Sequence, residues 1–377
     1  MRRTLRRAWP FSLALLLALI LPIAGCDSDG DDPGDGVSAD VAVMTYNLYL
    51  GAEIFALVDT EPEEVPIVAA QLFANVQATD FPARAEAIAD IIAEENPALI
   101  GLQEVTWYRT DPSDGSETPN ASTTAFDFLA ILQAALDARD LDYRVAATTV
   151  NADVEVPSTT DGETFTDIRL TDRDVILARS DVATTNAVEE NFSPEVIAPV
   201  PIGGQLVPFL RGYNSVVATV DDVTFTFANA HLEVDDGNPE RAALAQFGQA
   251  NELRNARASA TQPVVLVGDF NSPADGSGTE IVITDPLPFT GTTYDLLTTF
   301  YTDAAPAVSA TDDTCCQDAD LLNDASDLTS RIDLILYSGA VEPLMGEVVG
   351  DEPADRTDGG LWPSDHAGVV ATLRIEN

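Results

Sequence analysis

The sequence predicts an α/β fold, a four-layer α-β-β-α sandwich of two mixed sheets packed face to face with helices outside. Three observations carry that expectation. Short apolar runs of strand length alternate with amphipathic helices, and the strands recur in pairs, which favours two packed sheets. An apolar content of 45% in 377 residues is ample for a large core. No internal repeat is visible, and no long linker divides the chain after its amino-terminal segments.

The first of those segments, MRRTLRRAWPFSLALLLALILPIAGC, opens with four arginines, continues with an apolar run short for a membrane span and ends in small residues before a cysteine. That is the pattern of an export signal. Ile23-Ala24-Gly25-Cys26 resembles the lipobox of bacterial lipoproteins, so residues 1–25 are expected to be a lipoprotein signal peptide and Cys26 the lipid-bearing first residue at the cell envelope. The alternative is an ordinary secretory signal with an incidental cysteine. Residues 26–40, rich in Asp and Gly, have almost nothing to bury and read as a solvated tether, leaving 41–377 as the folded domain.

Within that domain VAVMTYN (41–47) reads as a strand, and FPARAEAIADIIAEENP (81–97) as a helix with Ala85, Ile88, Ala89 and Ile92 on one face. ALIGLQEV (98–105) is a buried strand, 124–138 a helix, YRVAATTV (143–150) a strand, 151–172 a polar segment, and DVILAR (174–179) a strand. YNSVVATV (213–220) and VTFTFANAHL (223–232) form a hairpin around Asp221-Asp222. The helix at 239–257 has Asn238 as its cap and proline at its first position, and it leads to the buried strand PVVLVGDFN (263–271). RIDLILY (331–337) and AGVVATLRI (367–375) are the last strands.

Polar residues gather where these apolar runs end: Asn47, Glu104, His231, Asp269 and Asn271, then Asp333 inside a strand, then Asp365 and His366 before the last one. Singly, each has a structural explanation as a turn, cap or solvated loop residue. Together they include both histidines of the chain. An Asp333–His366 pair would also account for a carboxylate in an apolar strand, where an unpartnered one is costly. Carboxylates, amides and two imidazoles are what metal-assisted attack of water on a phosphate ester requires.

The order of these motifs is informative. TYN (45–47), GLQEV (101–105), NAHLE (229–233), GDFNS (268–272), RIDLIL (331–336) and SDHAGV (364–369) are similar, in sequence order, to the motif series of the endonuclease/exonuclease/phosphatase superfamily, the deoxyribonuclease-I-like fold. The resemblance implies Glu104 as principal metal ligand, with Asn47 beside it and Asp365 contributing. It implies Mg2+, or Mn2+ or Ca2+, as cofactor. Asp269 would activate the attacking water, and Asn271 would hold that water or the phosphate. His366, oriented by Asp333, would stabilise phosphoryl oxygens or move protons, and His231 would be a second phosphate-facing imidazole and a candidate general acid. Arg211, before a strand where relatives often carry an arginine, could contact phosphate, but a surface ion pair suits so acidic a chain at least as well, so it is left outside this set.

The substrate is open at this level. There are 63 acidic residues against 18 basic ones, all arginine, for a net charge of -45; loss of the signal peptide removes four more cations and gives -49. Such a chain repels DNA at low salt, although salt screening restores that option in a saline habitat. A phosphoester substrate is expected, whether nucleic acid, phospholipid or small phosphodiester, together with a membrane contact through the lipid anchor and a monomeric state. The loop at 309–330 is the natural place for specificity. Adjacent Cys315 and Cys316 read as structural, bridged or as thiols. The reading from another class is a lipid-anchored binding protein that keeps the fold without catalysis.

Overall fold

The structure is a computed structural model and describes residues 36–377 except 59, 117, 194–199, 208, 236, 259, 285–287 and 306–311. The expected signal peptide, the expected lipidation site Cys26 and most of the expected tether lie outside the described residues.

In chain order, β1 (Ser38–Asn47), α1 (Val65–Ala78), α2 (Phe81–Glu95), β2 (Leu99–Gln103), β3 (Trp107–Pro112), β4 (Thr123–Asp127), α3 (Phe128–Asp137), β5 (Tyr143–Ser158) and β6 (Thr166–Arg179) form most of one half. The other half comprises β7 (Ala183–Asn191), a small hairpin of β8 (Val200–Ile202) and β9 (Gln205–Val207), β10 (Gly212–Val220), β11 (Val223–His231), α4 (Pro239–Arg257) and β12 (Val264–Asp269). It continues through a second small hairpin of β13 (Ile281–Ile283) and β14 (Phe289–Gly291), α5 (Thr293–Thr298), β15 (Thr302–Asp303) and β16 (Asp333–Ser338). Finally β17 (Val341–Val349) and β18 (Gly368–Glu376) return to the first sheet.

The first sheet runs β17-β18-β1-β2-β6-β3-β4, with β5 also paired to β6, and the second runs β15-β16-β12-β11-β10-β7. Both are mixed: β1 is parallel to β2 and antiparallel to β18, while β11 is parallel to β12 and antiparallel to β10. Side-chain alternation along each strand explains the layers. Val41 and Val43, Leu99, Ile176, Phe225 and Phe227, Val265 and Val267, and Ile335 form the core between the sheets. Their neighbours Met44 and Tyr46, Ile100 and Leu102, and Leu177 face outward to a core shared with Ile88, Ile92, Leu132 and Leu136 of α2 and α3. Leu266, Leu334 and Leu336 likewise meet Leu253 of α4 and Leu296 and Leu297 of α5. Each such fully buried side chain contributes about 1.5–3 kcal/mol of transfer free energy. These are the expected four layers.

Several boundaries differ from the sequence reading. The fold begins before residue 41, because Ser38–Asp40 extend β1 against β18 and Asp40 pairs with Arg374 at 2.8 Å. The helix expected at 124–138 starts only at Phe128, since Thr123–Asp127 pair with β3 as an edge strand. The polar segment 151–172 is mostly strand: β5 and β6 pair from Tyr143–Arg179 out to Ser158–Thr166, their alternating Thr, Asp and Val suiting a ladder with one wet face. Asp221 and Asp222, with φ of 46° and 68°, form the expected tight hairpin, and Asn238 caps α4 by accepting from the backbone of Arg241 at 3.2 Å.

Candidate active site

The alternation that builds the inter-sheet core also builds the site. Continuing the core-facing positions to the strand ends leads from Val43 to Thr45 and Asn47, from Leu99 to Gly101 and Gln103, and from Phe227 to Asn229 and His231. It leads equally from Val267 to Asp269 and, in the opposite direction, from Ile335 to Asp333 and from Ile176 to Asp174 and Asp172. All of these residues are buried. A hydrogen-bonded layer separates them from the apolar core: Gln103 Nε2 donates to Asn229 Oδ1 at 2.6 Å and to Thr45 Oγ1 at 3.1 Å. Gly101 makes room for it, since a Cβ there would meet the Asn229 amide at 2.8 Å.

Above this layer lies a cleft of about 200 Å³ lined by Glu104, Arg211, His231, Asp269, Asn271, Asp365 and His366 among others. Asn47 and Asp333 stand behind it. Asn47 Nδ2 donates to Asp269 Oδ2 at 3.1 Å, and the backbone N–H of Asn271 to Asp269 Oδ1 at 2.9 Å, so both oxygens of Asp269 are held. His366 Nδ1 lies 2.8 Å from Asp333 Oδ2, and its Nε2 lies 3.9 Å from Asp269 Oδ2. Asp333 is itself positioned by its backbone N–H, which donates to Thr314 Oγ1 at 3.1 Å. Every site residue expected from the sequence within the described residues reaches this end of the sandwich.

Electrostatics give the two histidines opposite states. Burial opposes charge on His366, but Asp333, Asp365 and Asp269 outweigh it and raise its pKa well above 6.5. Burial and the Arg211 guanidinium push His231 down to about 3, against the weaker pull of Asp269 and Asp172. Arg211 Nη1 lies 3.3 Å and 3.2 Å from the ring nitrogens of His231, and Nε lies 3.4 Å from Glu233 Oε1. The surface ion pair expected for Arg211 is therefore corrected: only 3% of the residue is exposed, and it stands in the cleft.

Sequence reasoning also missed the buried acids beside it. Asn151 Nδ2 donates to Asp172 Oδ2 at 3.1 Å and Asp174 Oδ2 at 2.9 Å, while Oδ1 of each aspartate has no hydrogen-bond partner. Burial pushes Asp174 up to about 7 and raises Asp172 as well. The available signal was their alternation with Ile176 in DRDVIL. Arg84 was hidden inside a helix: it donates to the carbonyls of Thr79 (2.9 Å), Leu48 (2.7 Å), Pro363 (2.9 Å) and Tyr49 (3.3 Å). It thereby ties the chain after Asn47 to the chain before Asp365.

Glu104 and Asn271 adopt left-handed φ of 56° and 49°, turning the chain out of strand geometry where the cleft needs it. Glu104 Oε2 accepts from the backbone of Leu50 at 2.7 Å. Burial, Asp365 and Asp172 push the Glu104 carboxyl up to about 8, and burial raises Asp365 too. An all-oxygen set with this excess of negative charge fits a hard divalent cation, with Glu104 and Asp365 as holders and Asn47 adjacent. Ligand atoms of Asp269, Asp333 and His366 also lie within 4.8 Å of one another, but a His366 held as a cation is a poor ligand, so this trio is better read as a proton-handling group. Cys315 and Cys316, joined by a vicinal disulfide, form another wall, with Cys316 Sγ 3.9 Å from His366 Nε2. The described part of the 309–330 loop is held by the segments after β1 and before β18: the Tyr49 hydroxyl donates to the Ala319 carbonyl at 2.9 Å, and the Trp362 ring N–H to the Asn323 carbonyl at 3.0 Å.

Two face-packed mixed sheets with acids, amides and an Asp–His pair at one end define a hydrolytic cleft of the metal-assisted type. The chain belongs to the Endonuclease/Exonuclease/phosphatase family, whose model matches residues 44–366 and whose enzymes are divalent-metal-dependent phosphoester hydrolases. Among solved structures it is similar to a family protein from Bacteroides thetaiotaomicron (16% identity, TM-score 0.54, covering 91% of this chain and 97% of that one). It is also similar to the mannosyl-6-phosphatase Bt3783 from Bacteroides thetaiotaomicron VPI-5482 (18%, 0.51, 88% and 99%) and to a protein from Bacteroides vulgatus (17%, 0.50, 90% and 100%). These likenesses concern the fold. No curated protein matches the chain.

Proposed function

We propose that this chain hydrolyses a phosphoester of the small or lipid type at the bacterial cell envelope, anchored through Cys26. The observation that carries the catalytic reading is the placement of Asp269, doubly held by Asn47 and Asn271, beside an Asp333–His366 pair in one cleft. A divalent cation held by Glu104 and Asp365 would neutralise phosphoryl charge and polarise the P–O bonds. Asp269 orients a water and takes its proton as the oxygen attacks phosphorus. Asn271 and Arg211 hold phosphoryl oxygens, and the His366 imidazolium donates its proton to the leaving ester oxygen as the P–O bond breaks. Protonated Asp269 then returns its proton to His366, which restores both groups. His231, kept neutral by burial and by Arg211, is the weaker candidate for proton donor.

Charge favours a small or lipid ester over duplex DNA. Among the described residues, Arg109, Arg139, Arg169, Arg173, Arg179, Arg331 and Arg374 are all engaged with carboxylates of the protein itself, leaving little basic surface for phosphate contacts. The deciding experiment incubates the full chain with Mg2+ or Mn2+, with and without chelator, against bis-p-nitrophenyl phosphate, a phospholipid, inositol phosphates and plasmid DNA at low and high salt. Turnover that needs the metal and His366 is expected. Turnover indifferent to chelator, or undiminished in His366→Ala, would sink the mechanism, and inertness throughout would favour the binding-protein alternative.

A further inference from the structure

A second cavity, of about 250 Å³, opens beside the cleft, and Ala52, Ile54 and Phe55 line both. Leu72, Phe73 and Val76 of α1, Tyr108 of β3, and Ile168 and Leu170 of β6 form part of its remaining wall. Its two charged lining residues are already satisfied. Asp153 is paired with Arg109 and Arg169, and Glu155 accepts from the backbone of Asn120 at 2.9 Å and Ala121 at 2.7 Å. The cavity therefore offers a ligand almost nothing but apolar contact, whereas the adjoining cleft adds the charged groups Glu104, Arg211, Asp269, Asp365 and His366.

The partition between them is itself fixed. Leu50 donates to Glu104 through its N–H at 2.7 Å and accepts from the Tyr108 hydroxyl through its carbonyl at 2.9 Å, which ties the start of the shared segment to both cavities.

We infer that the pocket receives the alkyl chain of an amphiphilic phosphoester whose phosphoryl group lies in the cleft. This rests on the hydrolase reading and narrows its substrate class. An apolar wall shared with a charged site selects a molecule with one apolar and one anionic end. A volume of about 250 Å³ leaves room for several methylenes of an alkyl chain.

The test is a series of p-nitrophenyl alkyl phosphodiesters, from methyl to dodecyl, each used below its micelle concentration with the metal-loaded full chain. Burial of each methylene is worth about 0.8 kcal/mol, so kcat/KM should rise by up to about fourfold per carbon and level off when the pocket is full. Ala69 of α1 also lines the cavity; Ala69→Phe, which fills it, should flatten the series by removing the gain with chain length, and Phe73→Ala should move the plateau to longer chains. Equal kcat/KM for methyl and octyl esters in the unaltered protein overturns the inference even though the hydrolase reading stands. If every ester is inert, the hydrolase reading fails, and calorimetry with octylphosphonic and methylphosphonic acids decides the pocket separately. Octyl binding at least tenfold tighter, with the advantage lost in Ala69→Phe, upholds the pocket; equal affinities overturn it.

Discussion

At His366 burial disfavours the imidazolium and Asp333, 2.8 Å away, favours it, and the carboxylate prevails. Because its folded pKa is raised above the ordinary value of 6.5, the stabilisation from this pair is complete below that pH and fades as pH rises through the raised value. His366→Gln should therefore destabilise the protein most at acid to neutral pH and progressively less in alkali, as read from urea midpoints across pH. At His231 the sign reverses. Its pKa is depressed to about 3, so the folded state refuses a proton that the unfolded chain accepts, and stability falls as pH drops from 6.5 towards 3. His231→Gln should remove that part of the acid sensitivity. For catalysis, His366→Ala and Asp333→Asn should each lower kcat by roughly 10²–10⁴, the usual range for a lost proton-transfer group. Asp333→Asn should also return the imidazole towards its ordinary pKa, so its residual rate declines at a lower pH than that of the unaltered protein.

At the scale of elements, the site depends on how closely strands approach and how loops are tied. Gly268, near the end of β12, has a φ of 150°, and a Cβ there would collide with the carbonyl oxygen of Ala230 on the neighbouring parallel strand. Gly268→Ala should force β11 and β12 apart and misplace His231 and Asp269 together. A loss of at least about 3 kcal/mol in denaturant unfolding, with a parallel fall in kcat, is expected, since both strain and overpacking act at that position. Arg84 acts at longer range. Arg84→Leu would leave four carbonyls of the cleft-forming loops without their donor, at a cost of at least about 3 kcal/mol by the usual price of unmade buried hydrogen bonds. Activity should fall too although Arg84 is not among the cleft's lining residues, and circular dichroism with kinetics on the same preparation checks both effects.

For the molecule as a whole, the buried carboxyls of Glu104 and Asp365 meet where a cation would bind. Glu104 holds its proton up to about pH 8, against 4.5 for an ordinary glutamate, so without metal the folded state loses stability as pH rises from 4.5 to 8. A divalent ion that replaces the proton offsets the loss. Addition of Mg2+ should therefore raise Tm more at pH 8 than at pH 5, and Glu104→Gln should shrink that difference; an equal gain at both values would argue against Glu104 as the ligand. The net charge of -45 adds a salt effect: any cleavage of duplex DNA should increase with added NaCl as repulsion is screened, while turnover of a small diester should change little.

Much of this was legible in one dimension because strands and motifs are local patterns. Short apolar runs marked β1, β11, β12 and β18, and the polar residues where those runs end marked Asn47, His231 and Asp269. The buried ladder of β5 and β6 was not legible, because Thr and Asp at one face of a strand look like loop sequence until a partner strand hides them. Arg211, Arg84, Asp172 and Asp174 escaped for a related reason: whether a charged residue is solvated or buried depends on what packs over it, and nothing adjacent in sequence says so. The sequence by itself determined the layered architecture and the family, and it singled out the polar residues that the structure gathers at one end of the sandwich. Only the tertiary structure decided that His366 is the charged imidazole and His231 the neutral one, since that difference comes from Asp333 and Arg211 brought in from distant strands. It alone placed an apolar pocket against the cleft, because a cavity is a property of surfaces from separate elements and has no motif of its own.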